Sequence, residues 1–200
     1  MVFTTRASAS TANSAPGARY RRLWLAALLS LVSTSALAEG FFITGIHTRL
    51  QDNVYRLDAN IDYRLSDDAL DALNNGVPLT FQVEIEIQRK RRWWLDAVVA
   101  TLQQRYQLRF HALSHQYQVH NINSGAFYSF HTLEGALENL GDLNDFPLLD
   151  RQLVEEGEAY EVLLHVELDI EALPSPLRPL AYITPAWRLN SDWYTWSLIP

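Results

Sequence analysis

The sequence predicts a mainly β protein: an antiparallel β-sandwich, immunoglobulin-like or related, with two short helices. Two observations carry this prediction. Residues 55–65 and 79–88 alternate apolar and polar side chains, so one row of each stretch faces a core and the other faces water. Turn signals recur between such stretches, which is typical of antiparallel sheets connected by hairpins.

The elements up to the first helix follow from turn and capping residues. Residues 42–50 are predicted to form a strand, joined to the strand at 55–65 by a turn over 51–53. Ser66 is a natural N-cap, because its hydroxyl can accept a backbone N–H of the first helical turn. The Asn-Asn-Gly sequence at 74–76 ends this short helix.

The middle of the chain contains one ambiguous segment. After the strand at 79–88, residues 95–102 fit a helix by spacing and a strand by composition, and we favour a strand or bulged strand. Further predictions are a hairpin over 106–119 with its turn near Leu113, and a short strand at 126–130. Thr132 can cap a second helix over 133–140, which Gly141 ends.

The last third is less regular. Residues 142–158 are polar and contain a proline, so they are predicted to form a loop. Alternation predicts a long strand at 162–169, and four prolines make the following tail irregular. Residues 192–198 are predicted as a closing edge strand. Three tail tryptophans are expected to anchor the tail on the core, with a ligand groove as the alternative: Trp187, Trp193 and Trp196.

Residues 1–38 show the three parts of a cleavable secretory signal peptide. Four arginines and no acidic residue precede or flank a short apolar run at 23–32, and small residues ending at Ala38 follow it. The run is shorter than the roughly 20 apolar residues that span a membrane. We therefore expect export to the periplasm, cleavage after Ala38 and no transmembrane segment in the mature chain. The paired arginines at 21–22 leave the twin-arginine export route open as an alternative.

Residues 39–200 are expected to form a single acidic, β-rich domain. Four of the 16 basic residues and none of the 23 acidic residues lie in the leader, so the remainder has a formal net charge of −11. A domain with this charge is repelled by phosphate backbones, so we expect no nucleic-acid partner. The chain has no cysteine, so its stability depends on its core and not on disulfides.

Three parts of the sequence together resemble one family. They are LSDDALDALNNGVPLTF at 65–81; RRWWLD at 91–96 with RYQLRFHALSHQY at 105–117; and LPSPLRPLAY at 173–182 with WRLNSDWY at 187–194. They resemble an uncharacterised family of exported proteobacterial proteins, domain of unknown function 4390. The resemblance implies a periplasmic setting in a Gram-negative bacterium, and genes of this family often lie near genes of membrane sensor kinases. It implies no activity and no catalytic residue.

One basic–aromatic cluster stands out in this acidic domain. Residues 89–94 read Arg-Lys-Arg-Arg-Trp-Trp, and the candidate binding residues are Arg91, Arg92, Trp93 and Trp94. Arginine and tryptophan are enriched at partner hot spots and at anionic headgroup surfaces. The alternative is the end of a hairpin whose arginines are solvated and whose tryptophans turn towards the core.

No catalytic, metal or cofactor site is predicted. Three histidines lie close in sequence: His111, His115 and His120. A predicted turn separates them and no cysteine can assist, so we do not expect a zinc site. Glu84 with Glu86, and Asp58 with Asp62, lie on the polar rows of strands, where solvent would leave them untuned as an acid–base pair. No serine lies in a nucleophile-elbow motif, and glycine-rich phosphate loops are absent.

We therefore expect a non-enzymatic periplasmic binding or interaction domain without a cofactor. The expected partner is a membrane protein, such as a sensor, or another envelope component. Two alternatives stay open. One is an enzyme acting on an envelope polymer or lipid, which requires a cleft with a buried acid–base pair. The other is a structural envelope component.

Overall fold

Nine strands form two antiparallel sheets in the described part of the chain. The computed structural model describes residues 39–91 and 95–198, so the predicted signal peptide lies outside the described residues. The strands are β1 (Gly40–Gln51), β2 (Val54–Arg64), β3 (Leu79–Arg89), β4 (Ala97–His111), β5 (Gln116–Asn121), β6 (Phe127–Phe130), β7 (Asp142–Asp150), β8 (Tyr160–Leu168) and β9 (Tyr194–Leu198). One sheet has the order β1-β2-β7 and the other the order β6-β5-β4-β3-β8-β9. The prediction of an antiparallel sandwich is confirmed.

The three-stranded sheet is built around β2, the strand with the clearest alternation. Its odd-numbered side chains from Tyr55 to Tyr63 are buried, as predicted. The turn to β1 consists of Asp52 and Asn53, whose φ angles are 50° and 64°. Two left-handed residues in a two-residue loop make a type I′ turn, whose twist matches that of the flanking strands.

The core is a single hydrophobic cluster that takes side chains from both sheets. Three rings meet edge to face at its centre. Phe41 of β1 and Tyr63 of β2 lie 4.8 Å apart between ring centroids, and Phe81 of β3 lies 5.6 and 5.1 Å from them. Burial raises the pKa of the Tyr63 phenol well above its ordinary value. No hydrogen-bonded ladder joins the two sheets in the described residues. The aromatic triad connects them through side-chain contacts.

Three short α-helices accompany the sheets in residues 39–91 and 95–198: α1 (Asp67–Asn74), α2 (Leu133–Gly141) and α3 (Arg178–Ile183). Three single-turn 3-10 helices lie at Arg151–Leu153, Ile170–Ala172 and Pro185–Trp187. Both predicted N-caps are confirmed, since the Ser66 and Thr132 side chains accept the N–H groups of Ala69 and Gly135. The two predicted helices, α1 and α2, lie at their expected positions. Helix α3 lies in the proline-rich tail and was not predicted.

Ser66 also ties the tail to the first half of the chain. Its hydroxyl donates to the carbonyl of Ala186 at 2.7 Å while accepting from Ala69 N–H at 3.3 Å, and the residue is buried. The adjacent Trp187 is buried in the core. One side chain therefore caps α1 and holds the segment that leads to β9.

Replacing Ser66 with alanine should lower the free energy of unfolding by about 1–3 kcal/mol. The change removes the helix cap and leaves the half-buried Ala186 carbonyl without its donor. Urea denaturation of the variant measures the effect. Ser114→Ala is a suitable control, because that hydroxyl is exposed and contacts only His111 among the described residues. Equal stabilities of the two variants would contradict this role of Ser66.

The prediction of a loop over 142–158 is wrong for its first part. Residues Asp142–Asp150 form β7, which pairs with β2. Pro147 is tolerated there because β7 is an edge strand, and the missing N–H costs no ladder bond on the open side. The register shifts twice along this pair. Those irregularities bury both Leu148 and Leu149, which removes the alternation that would have indicated a strand.

The ambiguous segment at 95–102 is resolved as part of a strand. β4 runs without interruption from Ala97 to His111, with a register shift beside Val99, so the prediction of a bulged strand is confirmed.

The helices of the described residues are all too short or too polar to span a membrane.

Candidate functional site

The basic–aromatic cluster lies where β3 ends and the chain returns into β4. Of the four candidate binding residues, Arg91 is described, whereas Arg92, Trp93 and Trp94 lie outside the described residues. Arg91 is exposed, and its backbone N–H donates to the Asp96 carboxylate at 3.1 Å. That contact fixes the base of the connection between the two strands.

The two cations that begin the cluster are engaged in ion pairs. Arg89 contacts Glu155 at 2.6 Å, and the Lys90 ammonium contacts Asp96 at 2.9 Å and Glu161 at 2.6 Å. The positive charge of this cluster is therefore lower than its sequence indicates. Glu155 and Glu161 are distant from the cluster along the chain, so the sequence alone does not indicate them as its partners.

The pKa shifts show how these pairs respond to pH. Hydrogen bonds to Glu161 and Asp96 raise the pKa of Lys90, and the hydrogen bond from Lys90 lowers the pKa of Asp96. A carboxyl group whose pKa is lower in the folded state than in the unfolded state stabilises the fold at pH values above its unfolded-state pKa. That contribution disappears as the pH falls through the folded-state pKa. A raised lysine pKa extends its contribution to more alkaline pH. The pair therefore persists through neutral pH and is lost in acid.

Exposed apolar side chains follow the cluster directly. Leu95 is 91 % exposed, Val98 56 % and Val99 37 %. Together with the exposed Arg91 they form what we call the hairpin surface. Single exposed leucines are common, but here one leucine and two valines are exposed within five residues, and an exposed arginine precedes them.

The same segment has an unpaired backbone edge. β5 pairs with β4 only from Tyr106 to His111. The Asn123 side chain extends the protection by accepting from Arg105 N–H at 2.8 Å and donating to the Gln103 carbonyl at 3.0 Å. Residues 97–102 have no neighbouring strand on this side in the described parts of the chain.

The other sheet edges carry features that discourage pairing with a second chain. β1 has a register shift beside Gly45 and an arginine at 49, β7 has Pro147 and three aspartates, and β6 and β9 are short. The open part of β4 reads Ala-Val-Val-Ala-Thr-Leu, with neither charge nor proline. Its bulge beside Val99 is its one such feature.

The histidines considered as metal ligands have different surroundings. His111 Nδ1 is 3.1 Å from the Ser114 hydroxyl in the β4–β5 turn, whereas His120 lies on β5 near the Phe127 ring. No group of three potential metal ligands occurs among residues 39–91 and 95–198. The structure therefore brings together no metal-ligand set in the part it describes.

The carboxylate pairs have ordinary structural contacts. Asp58 and Asp62 form ion pairs with Arg49 and Arg64. Glu84 and Glu86 were expected to be solvated, but both are half-buried. The reason is that β3 has β4 on one side and β8 on the other. Side chains of those neighbours limit the access of water.

The tail tryptophans divide between two environments. Trp187 is buried and Trp196 packs against the core, which confirms that they anchor the tail. Trp193 is exposed, and its ring stacks on His165 of β8 at 4.8 Å. The anchor prediction is therefore wrong for Trp193. Its ring lies against His165 of β8 and outside the core cluster.

The fold and this surface define a class: an antiparallel two-sheet β domain with an exposed apolar hairpin and an open strand edge. Residues 38–197 match the model of a family described as Domain of unknown function (DUF4390), and the chain belongs to that family. The resemblance seen in the sequence is thereby confirmed. No curated protein and no solved structure matches the chain.

Proposed function

We propose that this protein is a non-enzymatic periplasmic domain that binds another envelope protein through the hairpin surface. The observation that supports this most directly is the exposure of Leu95, Val98 and Val99 beside Arg91. Burying such side chains releases free energy in proportion to the apolar area removed from water. An arginine at the margin adds charged hydrogen bonds that favour one orientation.

The open edge of β4 adds a second means of recognition. A partner segment in extended conformation can pair with the N–H and C=O groups that residues 97–102 direct away from β3, while its side chains contact the valines. The partner we propose is a membrane protein, such as a sensor, with a segment exposed in the periplasm. Arg92, Trp93 and Trp94 complete the proposed surface by their place in the sequence.

The periplasmic location is proposed from the leader and the composition. The order of arginines, apolar run and small residues at 1–38 is that of a cleavable signal. Fractionation of a tagged chain tests this part alone. Recovery of the uncleaved chain in the cytosol would contradict the location and leave the surface to be tested separately.

Site-specific photo-crosslinking in the native host tests the hairpin surface. A photoreactive amino acid is placed at position 95 or at position 113, a matched control at the β4–β5 turn where the native leucine is 93 % exposed. We expect a defined adduct with a membrane protein from position 95 and none from position 113. Leu95→Ser together with Val98→Ser should weaken co-purification of that protein about tenfold or more.

Two results would overturn the proposal. Adducts of equal yield from positions 95 and 113 would show that exposure alone determines capture. Unchanged co-purification with the double serine variant would show that the apolar side chains do not contribute. Circular dichroism of each variant confirms that the sheets are intact.

A further inference from the structure

A cleft of about 850 Å³ lies beside α2, at the end of β2. We call it the α2 cleft. Residues of β1, β2 and α2 line it, among them Asp62, Leu133, Glu134, Leu137 and Glu138. Its volume falls in the range of sites that enclose drug-sized ligands or short peptide segments. The hairpin surface contributes no residue to it.

The apolar wall of the α2 cleft comes from one row of the helix. Leu133 and Leu137 are four residues apart and therefore lie on the same face of α2. Both are half-buried and pack against the core on one side. The neighbouring Ala136 and Leu140 are fully directed into the core. The remaining exposed parts of the two leucines form an apolar surface that a ligand can cover.

The charge of the α2 cleft has one sign. Four carboxylates line it, namely Asp62, Glu134, Glu138 and Asp142, and its described lining includes no lysine, arginine or histidine. Arg64 reaches Asp62 from outside at 2.8 Å. The other three carboxylates have no ion pair with any described residue. A ligand with positive charge is therefore complementary to this cleft.

The backbone of β2 is open at the same place. Pairing between β2 and β7 ends at Asn60 with Asp142. The Ile61 N–H and C=O face Gly141, where any side chain would overlap that carbonyl oxygen. Backbone groups of residues two apart point the same way in a strand. The Tyr63 N–H and C=O therefore also face the helix side, where no strand of the described chain pairs with them.

We propose that the α2 cleft binds a cationic, extended peptide segment of a partner protein. Lysine or arginine side chains of the segment pair with Glu134 and Glu138. An apolar side chain two residues from a basic one lies on the same side of the extended segment and covers Leu133 and Leu137. The main chain of the segment bonds to Tyr63. A small organic cation would satisfy the carboxylates but leave the leucines uncovered, so the apolar row favours a peptide. This site is separate from the proposed hairpin surface.

Fluorescence anisotropy with a defined probe tests the proposal. The probe is the labelled pentapeptide Lys-Ser-Leu-Ser-Lys, which presents its lysines and its leucine on one side when it is extended, and the protein is the chain purified as its host produces it. We expect binding that weakens as salt is added. Glu134→Gln with Glu138→Gln should raise the Kd about tenfold, the effect of losing two partly screened ion pairs. Leu137→Ala should also raise the Kd.

A matched control separates local from overall charge. Glu156→Gln with Glu158→Gln removes the same charge from an exposed loop outside the cleft, and we expect its Kd to stay within about twofold of the parent value. Leu95→Ser should also leave the Kd unchanged, so failure here and failure of the proposed function are distinguishable.

Three outcomes would overturn the proposal. The first is equal weakening by the two double-glutamine variants, which would indicate attraction by net charge alone. The second is equally tight binding of a peptide with glutamates in place of lysines. The third is displacement of the probe by equimolar spermidine combined with no effect of Leu137→Ala, which would assign the cleft to small cations.

Discussion

Replacing Phe81 with alanine is expected to lower the free energy of unfolding by about 3–5 kcal/mol. Phe81 is fully buried and forms one corner of the aromatic triad with Phe41 and Tyr63. The substitution removes a large apolar side chain and two edge-to-face contacts, and it leaves a cavity that the neighbouring strands cannot fill by small shifts. A typical domain has only about 5–15 kcal/mol of stability. The loss is therefore a large share of the total.

Chemical denaturation of the purified chain measures this effect. Phe127→Ala is the control, because Phe127 is 56 % exposed on the edge strand β6, and its replacement should cost less than about 1 kcal/mol. Similar losses for the two phenylalanines would show that the triad does not hold the sheets together. A second variant, Phe81→Leu, should lie between the parent and Phe81→Ala.

Gly141→Ala is expected to destabilise the protein by about 3 kcal/mol, at the upper end of the usual cost of overpacking. A Cβ at this position would lie 2.0 Å from the Ile61 carbonyl oxygen and 3.1 Å from its carbon. Both atoms belong to the backbone of β2, so no side-chain rotation can relieve the contact. Helix α2 would have to move away from the sheet, which would also widen the α2 cleft.

The same substitution elsewhere in α2 provides the control. A Cβ on Gly135 would meet the Thr132 hydroxyl at 3.2 Å, a contact that a shift of a few tenths of an ångström relieves while the cap hydrogen bond to the Gly135 N–H is kept. Alanine also has a higher helix propensity than glycine, by up to about 1 kcal/mol. We expect Gly135→Ala to be near neutral and Gly141→Ala to lower the denaturation midpoint strongly. A neutral Gly141→Ala variant would mean that α2 and β2 are less closely packed than the structure shows.

Regular alternation made most of the fold predictable. β2, β3 and β8 each bury every second side chain over a long stretch, so the sequence pattern alone gave their extent and their buried faces. The caps at Ser66 and Thr132 and the turn at Asp52 and Asn53 were equally local, since each depends on a few adjacent residues. Such features can be read without knowledge of the tertiary structure.

Non-local pairing explains what the sequence could not show. Residues of β7 lose their period because register shifts against β2 place consecutive leucines in the core. Asp145 adopts a positive φ of 55° there and contacts Arg49 and Arg56 from two other strands. No pattern within 142–150 reveals these partners.

The candidate surfaces were only partly visible for the same reason. The basic cluster was evident in the sequence, but two of the three carboxylates that pair with Arg89 and Lys90 come from the segment before β8 and from β8 itself. The α2 cleft was missed because one wall belongs to β2 and another to a helix far along the chain. The repeated Leu-Glu pairs at 133–134 and 137–138 were the local signal that could have indicated it.

The position of β3 determines when the larger sheet can form. One neighbour, β4, follows it immediately, but the other, β8, arrives only near the end of the chain, and the segment that precedes β9 inserts Trp187 into the core later still. Folding therefore has to wait for contacts between distant parts of the chain, which slows the search for the native state. A chain from which residues 186–198 are missing would leave the β9 side of β8 unpaired, and the N–H and C=O groups along that edge would be open to pairing with other unfinished chains.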